Sequence, residues 1–534
     1  MNVPSNDGEH HSMNQSLGPR PQVDGDSPKR ILYDMSFTCL SGKISGIERV
    51  VHSLVTAGMA LQRANAHHPS SLAFIPVFAS EGRFYELDER ARSLLAPSVE
   101  FERDCISSSP HWYRLIASML CRTVPVPWLR RQLLPPAGHL GIFKTWHRRW
   151  KKNSLAVIAV GQTPIELCAD DIVWLPDAYW AQPSVWLAAE HARQRGALVA
   201  SLVYDLIPLR SDTINQGFRD YLRQLLDKSH VALCISDCER RQLEAFQASY
   251  TPKSSSCSNF RTITLGCDIP HSHGKVRWQF AVPFESPSKI SSTGIDALPY
   301  SSDGGASGHI RSKVSSTGID ALPCSSGGGA LGHNGSKHPT AGIDVAPVYL
   351  CVNTFDPRKN HALLLDAFDQ LWAKGNDVRL CLVGRVGWKC HEILRRISDH
   401  NELNQRLFVF HDATDAEINY CYQRARAVIT TSKDEGFGLP IVESLSRGRT
   451  TLASDIPIHR EVGGHSCHYF ASTDPAELAL LVQQCESSQL PRADSNGPMV
   501  ANRPKIQSWQ QSFAQCRQEL VDAFGQRRSH RAAA

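Results

Sequence analysis

Apolar positions along the chain form two alternating series, separated by a stretch that has few of them. In the second series "VYLCVN" (348–353) reads as a buried strand, and "HALLLDAFDQLWAKG" (361–375) repeats its apolar residues at helical spacing before a closing glycine. "RLCLVG" (379–384), "LFVF" (407–410), "AVITT" (427–431) and "TTLAS" (450–454) predict further strands, and Thr414 with Glu417 forms the capping box that opens the helix after 410. Strands alternating with helices in this way predict a parallel, doubly wound sheet. The first series is noisier. "RILYDMSF" (30–37) predicts a strand and "IERVVHSLVTAGMALQ" (47–62) a helix, while "DIVWLP", "ALVASLVYDLIPL" and "VALCIS" supply more strands; 80–150 follows no period. The predicted fold class is α/β, with two Rossmann-like doubly wound domains facing a cleft.

The intervening stretch changes the domain picture. Serine and glycine account for 24 of the 62 residues from 286 to 347, and Tyr300 is the only aromatic. "SSTGIDALP" at 291–299 recurs at 315–323 and is echoed by "TAGIDVAP" at 340–347, which puts Gly294, Gly318 and Gly342 at a period of 24. Each copy offers too few core-forming side chains for a packed solenoid, so a flexible repeat insert is expected. The expected units are a disordered tail (1–29), an N-terminal domain (30–265), a linker holding the repeats (266–347), a second domain (348–503) and a C-terminal segment (504–534).

With 534 residues the chain exceeds one ordinary core, and 42% hydrophobic content is normal for a globular protein. A net charge of +5 does not argue for nucleic acid as a partner. The 16 cysteines include no C-x-x-C pair, and the N-terminus lacks an apolar leader core; both point to reduced thiols and a cytoplasmic location. No apolar run approaches the roughly 18 residues of a membrane span. "WLRRQLLPPAGHLGIFKTWHRRWKK" (128–152) carries seven Lys or Arg, no acid, and Trp128, Phe143, Trp146 and Trp150. That pattern suits the anionic inner face of a membrane, and equally a solvated face capped by core tryptophans.

Candidate chemistry lies at strand ends, where open α/β sheets bind ligands. "DEGFGLPIVESL" (434–445) follows the strand 427–431. Gly436 and Gly438 admit close approach of backbone N–H groups to a ligand, and Pro440 suits the first turn of a helix. Glu435 then lies in the loop and Glu443 in the helix's first turn, so both carboxylates can reach one bound molecule. By spacing alone, two solvated glutamates at a helix start are an equal reading. In "DPRKNH" (356–361), Arg358 and Lys359 stand at another strand end, before a helix that Asn360 is placed to cap; an anion site and a surface basic pair both fit. "LSGKISGIE" (40–48) puts Gly42 and Gly46 in a turn that suits either a phosphate or plain chain reversal. "HSCH" (465–468) has no fourth ligand nearby, and Asp-x-Asp occurs only at 24–26, so no metal is expected.

These motifs together resemble the family 4 retaining glycosyltransferases of the GT-B fold. The matching stretches are "DPRKNHALLLDAF", "LVGRVGW", "TTSKDEGFGLPIVESLSRG" and "SDIPIHREVGG". The pair Glu435-x7-Glu443 is that family's signature. The resemblance implies that Glu435 lies beside the transferred sugar, that Glu443 holds the nucleotide ribose, and that Lys359 binds the diphosphate. The loop Gly436, Phe437, Gly438 and Leu439 would offer amides to the donor. "SGIERV", "VYDLIPL" and "CISDCERRQL" are similar to the acceptor domain of bacterial mannosyl- and rhamnosyltransferases of surface polysaccharide synthesis, and "KIQSWQQSFAQCRQEL" (505–520) to the helix that crosses back onto it. Two departures stand out. Asn353-Thr354 replaces a frequent arginine, leaving that duty to Arg358, and Tyr204 replaces a frequent histidine before Asp205. The resemblance implies a nucleotide-sugar donor, a glycan or lipid-linked acceptor, and no cofactor or metal; a non-catalytic donor-binding protein is the alternative.

Overall fold

A computed structural model describes residues 27–41, 46–65, 72–88, 159, 162–179, 182–210, 216–249, 257, 259–268, 276–285, 346–490 and 506–533. The repeats, the basic aromatic stretch 128–152, the tail 1–26 and Gly42 lie outside the described residues.

The N-terminal domain is built on seven strands: β1 (Arg30–Asp34), β2 (Ala73–Ser80), β3 (Arg83–Glu86), β4 (Asp171–Leu175), β5 (Leu198–Val203), β6 (Val231–Cys234) and β7 (Asn259–Thr262). Their order is β3-β2-β1-β4-β5-β6-β7, and β2 with β3 is the one antiparallel pair. Strands β4, β5 and β6 are buried along their whole length, as expected of a parallel sheet covered on both faces. The sequence reading missed β2, β3 and β7. Pro76 breaks up the first of these, and the other two are four-residue strands of mixed polarity, NFRT and RFYE, at the sheet's edges.

The second domain has six parallel strands: β8 (Val348–Val352), β9 (Arg379–Val383), β10 (Leu407–Phe410), β11 (Ala427–Thr430), β12 (Thr450–Ser454) and β13 (His468–Phe470), in the order β10-β9-β8-β11-β12-β13. The strand order therefore reverses between β8 and β11 here, and between β1 and β4 in the first domain. Crevices open at such points. Two doubly wound domains meeting across them make the GT-B arrangement.

Two connections tie the domains to each other. Residues 276–285, assigned to the linker from sequence, pack on the second sheet instead. Val276, Phe280 and Phe284 are buried with Val348, Leu350 and Tyr422, Phe280 stacks on Phe410 at 4.1 Å, and Arg277 reaches Glu417 and Asp412, each at 2.7 Å. Their apolar side chains recur every four residues, one helical face's worth, just before the polar repeats begin. The C-terminal helix Trp509–Ala533 returns to the first domain, burying Trp509, Phe513, Cys516, Leu520 and Phe524, with Phe513 edge-on to Phe74 at 5.0 Å. Every described cysteine is a free thiol, and no described helix is long and apolar enough to cross a membrane.

Candidate functional site

The loops after β8 and β11 meet at the switch point of the second sheet. After β8, Asp356 caps a single 3-10 turn, Pro357–Lys359, accepting from Arg358 N at 2.9 Å. Asn360 does not cap the following helix with its side chain. It takes a left-handed conformation (φ 55°) and donates to the Ser472 carbonyl at 2.9 Å. Thr431 Oγ1 donates to the Lys359 carbonyl at 2.7 Å and Lys433 N to the Arg358 carbonyl at 2.8 Å, so the two loops hold each other. Ser454 Oγ adds a 2.5 Å bond to the Ser432 carbonyl.

This frame brings Glu435, Lys359 and Arg358 together. Glu435 is 7% exposed; its Oε1 accepts from Lys359 Nζ and from Ser432 Oγ (2.7 Å), and its Oε2 from Arg358 Nη1 (3.2 Å). Burial works to raise its pKa, but Lys359 and Arg358 outweigh burial and hold the carboxyl at about 2. Glu435 is therefore an anion at neutral pH. Asp205, from the other domain, lies in the same field. Burial pushes it above the usual carboxylate range, against the pull of Arg358.

Glu443 stands apart from that triad, on the helix Leu439–Ser446, one turn further in than the sequence reading placed it. It is 2% exposed; Oε2 accepts from Tyr422 Oη at 2.8 Å, while Oε1 lies 2.9 Å from Arg49 Nη2 as an ion pair without hydrogen-bond alignment. Oε1 thus keeps accepting capacity for a ligand hydroxyl. Gly438, at φ 93°, starts this helix from a backbone conformation that side chains disfavour. Gly436 has a different reason to be glycine: a Cβ there would come within 2.6 Å of the Tyr204 carbonyl oxygen and 2.8 Å of Asp205 Cβ. Phe437 is buried in a core that runs into both domains, and Leu439 packs against it. Gly46 starts the helix Ile47–Ala64 at φ 58°, with open space around it.

The cleft is closed by cross-domain contacts. Besides Arg49 with Glu443, Arg210 Nε reaches Asp434 Oδ2 at 2.7 Å, and the Glu461 carboxylate accepts from Asp237 N (2.6 Å) and Cys238 N (2.8 Å) at the start of helix Asp237–Ser249. The sequence reading singled out Glu443 but none of these pairings, because a contact across domains leaves no periodic signal.

Two further groups were also missed. His459 is fully buried; Nδ1 donates to the Ser454 carbonyl at 2.9 Å, which leaves Nε2 as an acceptor, unpartnered, beside Gly438. Burial keeps its pKa below the usual range, so the ring is neutral. Its one trace in sequence is its place in "SDIPIHREVGG". Asp34 and Asp177, at the ends of β1 and β4, are fully buried in the first domain's switch point. Ser36 Oγ donates to Asp34 Oδ1 at 2.7 Å, and Thr38 N and Ala178 N donate to Asp177 at 2.6 and 2.8 Å. Burial raises their pKa values to about 7 and about 6.

Comparison with known proteins places the second domain. Residues 338–496 match the family model described as "Glycosyl transferases group 1". The serotype-specific mannosyltransferase WbdA of Escherichia coli is 35% identical over 139 residues, 26% of this chain and 17% of that protein. The O-antigen chain mannosyltransferase RfbU of Salmonella typhimurium is 26% identical over 148 residues, 28% of this chain and 40% of its own length. This chain thus spans well under half of either relative. Among solved structures, the sucrose-phosphate synthase of Thermosynechococcus elongatus covers 95% of this chain and 100% of its own, at 13% identity and a TM-score of 0.47. With its glycine loop and paired glutamates at the switch point, the segment 338–496 is a group 1 glycosyl transferase domain.

Proposed function

We propose that the chain is a retaining glycosyltransferase of surface polysaccharide synthesis. It would move a hexose or deoxyhexose, mannose before rhamnose, from a GDP-sugar to a glycan or lipid-linked acceptor. The observation that carries this reading is the cluster of Glu435, Lys359 and Arg358 at the β8/β11 switch point of a group 1 domain. The mannosyltransferase names of the matched relatives support the choice of sugar.

Breaking the anomeric C–O bond leaves its electron pair on the diphosphate, through an oxocarbenium-like state. Lys359 and Arg358 are cations held in place before the reaction, and the amides of the Gly436–Leu439 loop add donors; such preorganised groups are worth several kcal/mol where charge develops. Glu435 orients those cations and meets the sugar, and Glu443 accepts from the ribose. The acceptor oxygen bonds the anomeric carbon on the face the diphosphate leaves, and its proton passes to the departing phosphate oxygen. Donor entry requires Arg49 to give way at Glu443 and the cleft to open. No metal is required in this reading, and the chain works at the cytoplasmic face, with 128–152 resting on anionic lipid.

The test is a panel of nucleotide sugars given to purified protein, with hydrolysis and transfer followed with and without excess chelator. Release of GDP from GDP-mannose that survives chelator is expected. Rescue only by added magnesium would overturn the metal-free reading. Tight donor binding with no turnover under any acceptor would favour a donor-binding protein without catalysis.

A further inference from the structure

At the end of the N-terminal domain opposite the cleft, the strands β5, β6 and β7 begin beneath the C-terminal helix. A cavity of about 610 Å³ lies there, lined by His230, Asn259, Gln526, Arg527 and His530 among others. Its polar wall is rich in donors. Arg527 Nη1 donates to the carbonyls of Gly196 (3.0 Å) and Ala197 (2.9 Å), which position the guanidinium without neutralising it. Arg531 follows one turn later on the same helix. A Cβ built on Gly196 would lie 3.8 Å from its Nη1, so both guanidinium groups converge on the 196–197 turn. Among the described residues neither arginine pairs with a carboxylate.

The neighbouring groups supply one more cation, one carboxylate and a ring N–H donor. Arg193 donates to the main-chain carbonyl of Asp227, whose own Oδ1 is buried without a partner. Val199 N donates to His230 Nδ1 at 3.0 Å, which fixes the neutral ring with its proton on Nε2. Burial, then Arg527, Arg193 and Arg531, push His230 down to about 3, so it stays neutral at any working pH. Burial first, and then the like charges of Arg531 and Arg193, lower Arg527 to about 10. Like charges at i and i+4 on a helix repel each other. An anion between them would turn that repulsion into attraction, and planar guanidinium groups match phosphate oxygens in pairs.

We propose that this cavity is a second ligand site, separate from the cleft, that takes a phosphate-bearing ligand between Arg527 and Arg531 with His230 Nε2–H as a further donor. The ligand is either a soluble phosphate compound or the headgroup of an anionic lipid. Full-length protein is titrated with inorganic phosphate by calorimetry, and floated with phosphatidylglycerol or phosphatidylcholine vesicles, as the parent and as Arg527→Gln, Arg531→Gln and Lys359→Ala. Loss of one charged hydrogen-bond donor should weaken binding by about tenfold or more. Phosphate binding that falls in both arginine variants and persists in Lys359→Ala supports a soluble ligand. Flotation with phosphatidylglycerol alone that falls in the same two variants supports a headgroup. Arg531→Gln guards against misfolding, because Arg531 has no structural hydrogen bond to lose, and its Tm should match or exceed the parent's. The proposal is overturned if neither probe responds to the arginine changes, or if only Lys359→Ala abolishes phosphate binding.

Discussion

At the switch point of the second sheet, the loops after β8 and β11 carry Arg358 and Lys359, which both pair with Glu435, while Asp356 lies 3.8 Å from Arg358. At the switch point of the first sheet, the carboxyl ends of β1 and β4 carry two carboxylates, Asp34 and Asp177, held by hydroxyl and backbone N–H donors. The topology is the same, but among the described residues the second site pairs its carboxylates with cations and the first holds its own by hydroxyl and N–H donors. A parallel sheet fixes where a ligand is met, and the loop side chains fix what kind it is. In the proposed reaction Arg358 and Lys359 meet the donor diphosphate. Among the described residues the donors to Asp34 and Asp177 are hydroxyl and backbone N–H groups, which in the proposed reaction suits neutral hydroxyls such as a sugar acceptor presents.

This contrast can be broken most severely at Lys359. Lys359→Ala should lower donor turnover by roughly 10²–10³-fold, the usual loss when one preorganised donor to a developing anion is removed. Steady-state kinetics on the preferred nucleotide sugar check it; a variant reacting at the parent rate would remove Lys359 from the chemistry.

Opposite pH responses sharpen the comparison next. Glu435 is depressed to about 2, so its contribution to stability is present above the unfolded value near 4.5 and is lost as pH falls toward 2. Asp34 is raised to about 7, so the folded state binds the extra proton and stability declines as pH rises from about 4 to 7. Each effect is on the order of 3 kcal/mol. Urea unfolding should show Asp34→Asn flattening the slope between about pH 4 and 7, and Glu435→Gln flattening it between about pH 4.5 and 3. Unchanged slopes in both variants would mean that neither group carries the linkage.

Glu443→Ala should act on donor binding, raising the donor dissociation constant by roughly tenfold or more through loss of a charged acceptor, with kcat changed much less. Equal losses in kcat and affinity would put Glu443 in the reacting centre. The smallest effect is expected at Gly436→Ala, where the added methyl must push Tyr204 and Asp205 away. A cost of about 1–3 kcal/mol is typical of such overpacking. Small-angle scattering should show a more open molecule; an unaltered profile and Tm would mean that the loop yields locally.

Legibility in the sequence followed how local each signal is. Strands β8, β9 and β11 could be read because they are buried along nearly their whole length and spell mostly apolar runs, whereas β3 and β7 are four-residue edge strands of mixed polarity. The capping box at Thr414 and Glu417 is present as read, since both partners lie within one turn. At Asn360 the local rule failed: a 3-10 turn capped by Asp356 precedes the helix and leaves the Asn360 side chain free to reach Ser472.

By itself the sequence determined two alternating α/β domains, the polar repeat stretch, and the residue types around Glu435 and Glu443, because periodicity and short motifs depend on near neighbours along the chain. Only the tertiary structure decided that Lys359 and Arg358 converge on Glu435, which lies 76 and 77 positions away, and that Arg49 pairs with Glu443. It alone decided that Glu461 caps a helix of the other domain, and that Arg527 shares a cavity wall with His230 while Arg531 approaches Gly196 beside it. Those placements depend on which strand lies beside which and on how two sheets face each other, and chain closure over such distances leaves no local pattern to read.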